Sequence, residues 1–94
     1  NLRIENLEKV DVLNMNNNYI KVLKSFTFKN TKKIGLLDLT FNNMIDIEYN
    51  AFYSLEFDLR SLNLSYNNFE KVKWYYFQKL NGLTILILSY NKIS

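Results

Sequence analysis

The apolar and polar positions of this chain repeat with a period of 24 or 25 residues. Each of four segments that align without gaps has apolar residues at its first, fourth, sixth and eleventh places and asparagine at its ninth. Apolar fourth and sixth places that flank an outward fifth place predict one short strand per segment, with one buried face. The segments, whose places are numbered from their first residue, are VDVLNMNNNYI (10–20), IGLLDLTFNNM (34–44), LRSLNLSYNNF (59–69) and LTILILSYNKI (83–93).

The same frame predicts how neighbouring repeats pack. Strands that recur once per repeat and return to the same edge must pair in parallel, about 4.8 Å apart. An asparagine amide at the ninth place has donors and an acceptor, so stacked copies can satisfy backbone groups that the turn leaves unpaired. Phenylalanine at the nineteenth place should form a continuous column along the wide end of the coils. The predicted core residues are Leu13, Met15, Leu37, Leu39, Leu62, Leu64, Leu86 and Leu88 in the strands, Asn18, Asn42, Asn67 and Asn91 in the turns, Leu23, Ile47 and Val72 at the fourteenth place, and Phe28, Phe52 and Phe77 at the nineteenth.

The frame L-x-x-L-x-L-x-x-N-x-L resembles that of the leucine-rich repeat family. The resemblance implies an α/β-type solenoid, a right-handed coil with a parallel β-sheet on its concave face and irregular, 3-10 or short helical segments on its convex side. A 24-residue period with phenylalanine at the nineteenth place is similar to the typical subfamily, common in extracellular receptors and secreted immune proteins. The fifteenth place, often proline in that subfamily, is here occupied by Lys24, Glu48 and Lys73.

We expect residues 1–94 to form one repeat segment without caps, a fragment of a longer protein. The predicted divisions are the tail of a preceding repeat (1–9), three repeats (10–33, 34–58 and 59–82) and a truncated fourth repeat (83–94). One extra residue in the second repeat is expected to bulge at 56–58, in the loop before the third strand.

Charged residues suggest two interpretations of the outer half of the repeats. In the repeat frame, the fifteenth place stacks Lys24, Glu48 and Lys73, and the twenty-third stacks Lys32 on Glu56, which predicts ion pairs between repeats. Read as a linear run, the lysines of the first repeat instead suggest a patch that binds polyanions. That run comprises Lys21, Lys24, Lys29, Lys32 and Lys33.

Composition narrows the chemistry that the chain can perform. It has no His, no Cys, no Pro and only two Gly, which excludes zinc fingers, imidazole bases, cysteine nucleophiles, disulfides and glycine-rich phosphate loops. The serines therefore have no histidine to activate them, and Asp46 and Glu48 are interpreted as solvated surface charges. We expect no catalysis, no cofactor and no metal site in this segment.

The charge and hydropathy of the chain also limit its partners. A net charge of +3 is too small to argue for nucleic acid, and the sequence predicts none as partner. No apolar run approaches the roughly 18–20 residues that cross a bilayer, so we expect no membrane insertion within this segment.

The outward side of the predicted sheet is the candidate binding surface. The family typically binds proteins or other ligands there, and the resemblance implies a protein partner or self-association through this concave face. Apolar and aromatic side chains that face water on rigid strands favour the same surface. The candidate residues are Leu36, Asp38, Phe41, Asn63, Tyr66, Ile85, Ile87 and Tyr90. Asn63 also begins the sequon Asn63-Leu64-Ser65, which predicts a glycan if the protein is secreted.

Three functional hypotheses remain open at this point. The first is a recognition module of a larger secreted or cell-surface receptor or immune protein. The second is a structural spacer whose concave face binds nothing, and the third is a cytosolic scaffold of the same fold.

Overall fold

The computed structural model describes residues 9–31 and 33–93 of the chain. It contains six strands, β1 (Lys9–Asn14), β2 (Val22–Leu23), β3 (Lys33–Asp38), β4 (Asp46–Ile47), β5 (Ser61–Asn63) and β6 (Ile85–Ile87). Turns and bends join them, and no helix occurs within the described ranges. The predicted tail of a preceding repeat (1–9) lies outside the described residues except for its last position. Lys32 also lies outside them, and with it the predicted pair of Lys32 and Glu56.

All strand pairs are parallel and in the predicted frame. A four-stranded sheet has the order β1-β3-β5-β6, and β2 pairs with β4 in a second, two-stranded sheet. Equivalent places face each other in the register, so that Leu36 lies opposite Ser61 and Ser61 opposite Ile85. The chain is therefore a parallel-strand solenoid, and each repeat forms one coil of it.

The core lies between the two sheets and is built from the predicted positions. Side chains at the fourth and sixth places of the inner strands are fully buried, and so are Leu23 and Ile47 beneath the smaller sheet. Phe28, Phe52 and Phe77 form the predicted column, with ring centroids 6.2 and 6.4 Å apart. Burial of one such large side chain stabilises a fold by about 1.5–3 kcal/mol.

Three predicted core residues are exposed instead, namely Asn18 in the first coil and the apolar residues Val72 and Leu86. Leu86 is 39% and Val72 41% exposed, so the prediction that these three are core residues was wrong. A repeat of a solenoid buries its side chains against its neighbours. Leu86 lies on β6, which pairs only with β5. Val72 occupies the place equivalent to Ile47 in the third coil, but the two-stranded sheet ends at β4 in the second coil.

The ninth-place asparagines form a ladder of hydrogen bonds through the core, as predicted. We call Asn18, Asn42, Asn67 and Asn91 the asparagine ladder. Asn42 is fully buried, and its Oδ1 accepts the backbone N–H of Asn18 at 2.7 Å and of Ile20 at 3.3 Å. Its Nδ2 donates to backbone carbonyls of its own coil and of the coil before. The amides of Asn42, Asn67 and Asn91 therefore close their own turns and join two coils, whereas that of Asn18 closes only its own turn among the described residues.

The extra residue of the second repeat lies in a turn before β5, as predicted. Residues 56–58 form this turn, and the N–H of Leu59 donates to the carbonyl of Leu55 across 3.2 Å. The turn packs against Gly82, where an added Cβ would lie only 2.6 Å from the carbonyl oxygen of Phe57. A glycine is needed at that position because backbone occupies the space of a side chain.

The predicted ion pairs are only partly confirmed. Lys24 Nζ lies 3.7 Å from Glu48 Oε2, as the repeat frame predicts. The prediction that Lys73 pairs with Glu48 was wrong, because Lys73 Nζ lies 3.1 Å from Asp46 Oδ1 instead. Glu48 also accepts the backbone N–H of Ser25 at 2.8 Å, which orients its carboxylate toward the first coil.

Candidate functional site

The outward side of the four-stranded sheet carries two rows of side chains. We call these rows, at the third and fifth places of the strands, the sheet face. Exposure is greatest at its two ends, where Val12 is 57% and Ile85 52% exposed, whereas Leu36 and Ser61 between them are half-buried. The fifth-place row consists of Asn14, Asp38, Asn63 and Ile87, aligned by the strand register.

Polar side chains in the fifth-place row cap the ends of their strands. The Oδ1 atoms of Asn14, Asp38 and Asn63 each accept the backbone N–H two residues further on, at 2.9–3.0 Å. Asp38 Oδ1 also accepts the hydroxyl of Thr40 at 2.7 Å. This is the hydrogen bond of an Asx turn, which Asn and Asp can form and isoleucine cannot. Ile87 therefore replaces a cap with an apolar side chain that faces water.

Three rings stand beside the sheet at the eighth place. We call Phe41, Tyr66 and Tyr90 the aromatic ladder. Adjacent ring centroids are 4.4 Å apart in both pairs, and the rings are parallel to within 9°. All three are exposed, Tyr90 by 71%. The row predicted from the sequence is confirmed.

The backbone beneath the aromatic ladder holds an unusual conformation. Phe41, Tyr66 and Tyr90 have φ of 58°, 59° and 58°, a left-handed conformation that is rare for bulky residues. Hydrogen bonds between coils hold it, because the N–H of Phe41 donates to Ser65 and that of Tyr66 to Ser89. Repetition of one turn thus aims three rings in the same direction.

The candidate surface carries little charge. Asp38 is the one charged residue at the third, fifth, seventh and eighth places of the four repeats. Desolvation and the neighbouring hydroxyl of Tyr90 raise the pKa of the Tyr66 phenol, which therefore stays neutral at physiological pH.

The structure brings all eight candidate residues together on one side of the coil. Leu36, Asp38, Asn63, Ile85 and Ile87 lie on the sheet face, and the other three form the aromatic ladder. Asn63, the sequon asparagine, is half-buried near the centre of the sheet face, and its Oδ1 is engaged by the N–H of Ser65.

Sequence reasoning missed a second set of exposed rings, away from the four-stranded sheet. Phe26 and Tyr53 meet edge to face at 5.4 Å, and Trp74 packs edge to face on Tyr75 at 5.5 Å. Their places in the repeat carry no fixed pattern. Only the abundance of aromatic residues in the outer halves of the repeats could have pointed to them.

The described part of the chain contains neither a metal-binding cluster nor a membrane-spanning helix. Residues 9–31 and 33–93 contain no group of three or more His, Cys, Asp or Glu that could hold a metal ion. No helix in these ranges is long and apolar enough to cross a membrane.

Comparison with known proteins identified one family. A family model described as leucine rich repeat matches residues 58–94, which include β5, β6 and two members of the asparagine ladder. No curated protein and no solved structure gave a significant match.

Proposed function

Because the leucine rich repeat model matches residues 58–94 and the coils before them follow the same frame, we propose that this chain is a leucine-rich repeat protein and a protein-recognition module that binds its partner through the sheet face and the aromatic ladder. One observation carries the proposal. Ile85 and Ile87 face water on β6, beside Tyr90, at places where the third coil has Ser61 and Asn63. A change from polar to apolar on the outward side adds nothing to the core, and exposed apolar clusters on rigid backbone are typical of interfaces.

The geometry of the surface supports binding rather than chemistry. Strand pairing fixes the sheet face, and stacking fixes the rings of the aromatic ladder, so little side-chain freedom is lost when a partner binds. The low charge of the surface favours a partner with an apolar patch over a highly charged one. We propose accordingly that the segment is not an enzyme and binds no nucleic acid.

We further propose that the module belongs to a larger secreted or cell-surface receptor or immune protein. The 24-residue period supports this setting. A glycan on Asn63 would stand near the centre of the sheet face and would exclude a partner there. Glycosylation at this residue would therefore favour the spacer hypothesis, and the cytosolic scaffold would carry no glycan.

Selection from a displayed library of random peptides tests the binding surface. The double variant Ile85→Ser, Ile87→Asn copies the third coil and leaves the inward side chains unchanged. Peptides selected on the wild type should bind this variant at least tenfold more weakly, since each buried isoleucine contributes about 1.5–3 kcal/mol.

A control variant removes a side chain elsewhere that is more exposed than either isoleucine, the 75% exposed Trp74. Trp74→Ser lies outside the sheet face and should leave the affinity of the same peptides unchanged. Equal affinity for the wild type and the Ile85, Ile87 variant, with the fold retained by circular dichroism, would rule out the sheet face beside β6 as the binding site.

A further inference from the structure

A groove crosses the outer halves of the first three coils, and none of its residues belongs to the four-stranded sheet. It has a volume of about 510 Å³, which is in the range typical of sites for small ligands. We call it the lysine groove. It is lined by Phe26 and Lys29 from the first coil, Asn50, Tyr53 and Glu56 from the second, and Lys79 from the third.

One of the two lysines is held in position by the wall of the groove. Lys79 Nζ lies 4.7 Å from the centre of the Tyr49 ring and 3.4 Å from Asn50 Oδ1. A cation–π contact and one hydrogen bond fix the ammonium group but use only part of its donor capacity. Lys79 therefore presents an oriented positive charge with N–H groups to spare.

The second lysine enters the groove from another coil. Lys29 is exposed, and its ammonium group has no ion-pair or hydrogen-bond partner among the described residues. The two lysines are 50 residues apart in the chain and line the same groove only because the first and third coils flank the second.

Aromatic surface also lines the groove. Phe26 and Tyr53 meet at 5.4 Å with an interplanar angle of 73°, and they remain 39% and 49% exposed. The N–H of Phe26 donates to the carbonyl of Asn50 across 3.0 Å, which ties this ring to the second coil. A flat ring can pack against this pair, since edge-to-face and offset contacts between rings are favourable.

One negative charge opposes the two positive charges. Glu56 Oε1 accepts the backbone N–H of Ser54 at 3.0 Å, so the carboxylate is bound to its own turn. Two ammonium groups and one carboxylate give the lining a net charge of +1, which a single negative charge on a ligand neutralises.

We propose that the lysine groove binds an aromatic ring that carries a single negative charge. An aryl sulfate and an aryl carboxylate share this chemistry. Such a ligand would pack its ring against Phe26 and Tyr53 and direct its anionic group toward Lys29 and Lys79.

The proposal is tested by titrating the isotopically labelled protein with phenyl sulfate and with benzoate while amide chemical shifts are followed. Comparison of the two titrations shows whether the groove prefers an aryl sulfate or an aryl carboxylate. Shifts should concentrate at Asn50, Tyr53 and Lys79. Benzyl alcohol, which has no charge, and methyl sulfate, which has no ring, should both bind at least tenfold more weakly than the better of the two aryl anions.

Three variants then separate the groove from general electrostatics. Lys29→Ala with Lys79→Ala should weaken binding at least tenfold, whereas Lys71→Ala with Lys92→Ala, the same change in net charge elsewhere, should alter it less than twofold. Glu56→Gln keeps an acceptor for Ser54 and should tighten binding about twofold or more. Equal weakening by both lysine pairs, or equal affinity for benzyl alcohol and phenyl sulfate, would overturn the proposal.

Discussion

At the residue scale, one asparagine side chain can bond to backbone groups of two neighbouring coils. Asn67 Oδ1 accepts the N–H groups of Asn42 and Met44 at 3.0 and 2.9 Å, both in the preceding coil. Its Nδ2 donates to the carbonyls of Leu39 and Leu64, each at 3.0 Å. No other side chain of this size offers two donors and one acceptor in this arrangement.

Replacement of this side chain should therefore be costly. Asn67→Ala leaves at least two N–H groups and two carbonyls without these bonds in the interior, and we expect a loss of about 3–5 kcal/mol in the free energy of unfolding. Urea denaturation measures it. Asn68→Ala, whose backbone bond to Met44 is retained, should cost less than about 0.5 kcal/mol and serves as control. Similar losses in the two variants would contradict the role of the asparagine ladder.

At the scale of elements, β4 is fastened to the third coil through one carboxylate. The hydroxyl of Tyr76 donates to Asp46 Oδ1 at 2.6 Å, and Lys73 Nζ lies 3.1 Å from the same oxygen. Desolvation raises the pKa of Asp46, but the hydrogen bonds from Tyr76 and Lys73 outweigh it and hold the pKa below its ordinary value of 3.8. Desolvation and the same carboxylate raise the pKa of the Tyr76 phenol.

This linkage predicts the direction of a pH effect. A carboxyl whose pKa is lower in the folded chain stabilises the fold above the unfolded value and loses that contribution as the pH falls through the folded value. Stability should therefore decline below about pH 3.8, and Asp46→Asn should make the decline shallower.

Free energies of unfolding measured by urea denaturation across this range check the prediction. The backbone N–H of Ser25 also lowers the pKa of Glu48, which should leave a residual slope in the Asp46 variant. An unchanged slope in that variant would show that Asp46 contributes nothing to the pH dependence.

At the scale of the whole molecule, the coils form an elongated body of 37 × 25 × 21 Å. Each coil packs on its neighbours alone, so stability is close to a sum of coil and interface contributions. The second coil lies between the first and the third, and Phe52 bridges them within the phenylalanine column. Damage at this position should affect both interfaces.

Phe52→Ala should accordingly lower the free energy of unfolding by about 3–5 kcal/mol, because a cavity opens between Phe28 and Phe77. Thermal and urea unfolding measure the loss. Phe57→Ala removes the same side chain from a turn where it is 70% exposed and should have little effect. A thermal shift of less than about 2 °C in a folded Phe52 variant would contradict the central role of the column.

The repeat frame made the inner coils predictable, because each residue there packs against residues of the same type at the same place in the neighbouring coils. Leu62 and Asn67 could be placed from spacing alone. Leu86 and Val72 could not, since burial at those positions depends on which strands pair beside them. Lys73 shares its partner, Asp46, with the phenol of Tyr76, and the equivalent places of the other repeats hold Thr27 and Ala51, which have no phenol.

The aromatic ladder and the lysine groove also differ in how far the sequence predicts them. The aromatic ladder follows from one place in the frame, and its row could be predicted. The lysine groove combines different places of three coils, so only the packed structure shows that Lys29 and Lys79 line the same space.

The turn at 56–58 accommodates a difference in repeat length without a change in the register of the sheet. The second repeat is one residue longer than its neighbours, yet Leu36 still faces Ser61 across β3 and β5. The surplus residue is confined to a surface turn in which Phe57 is exposed. Length can therefore vary at this turn without displacing a strand, which makes it the natural position for a grafted epitope or tag. One residue added between Leu62 and Asn67 would instead shift the amide out of alignment with its neighbours.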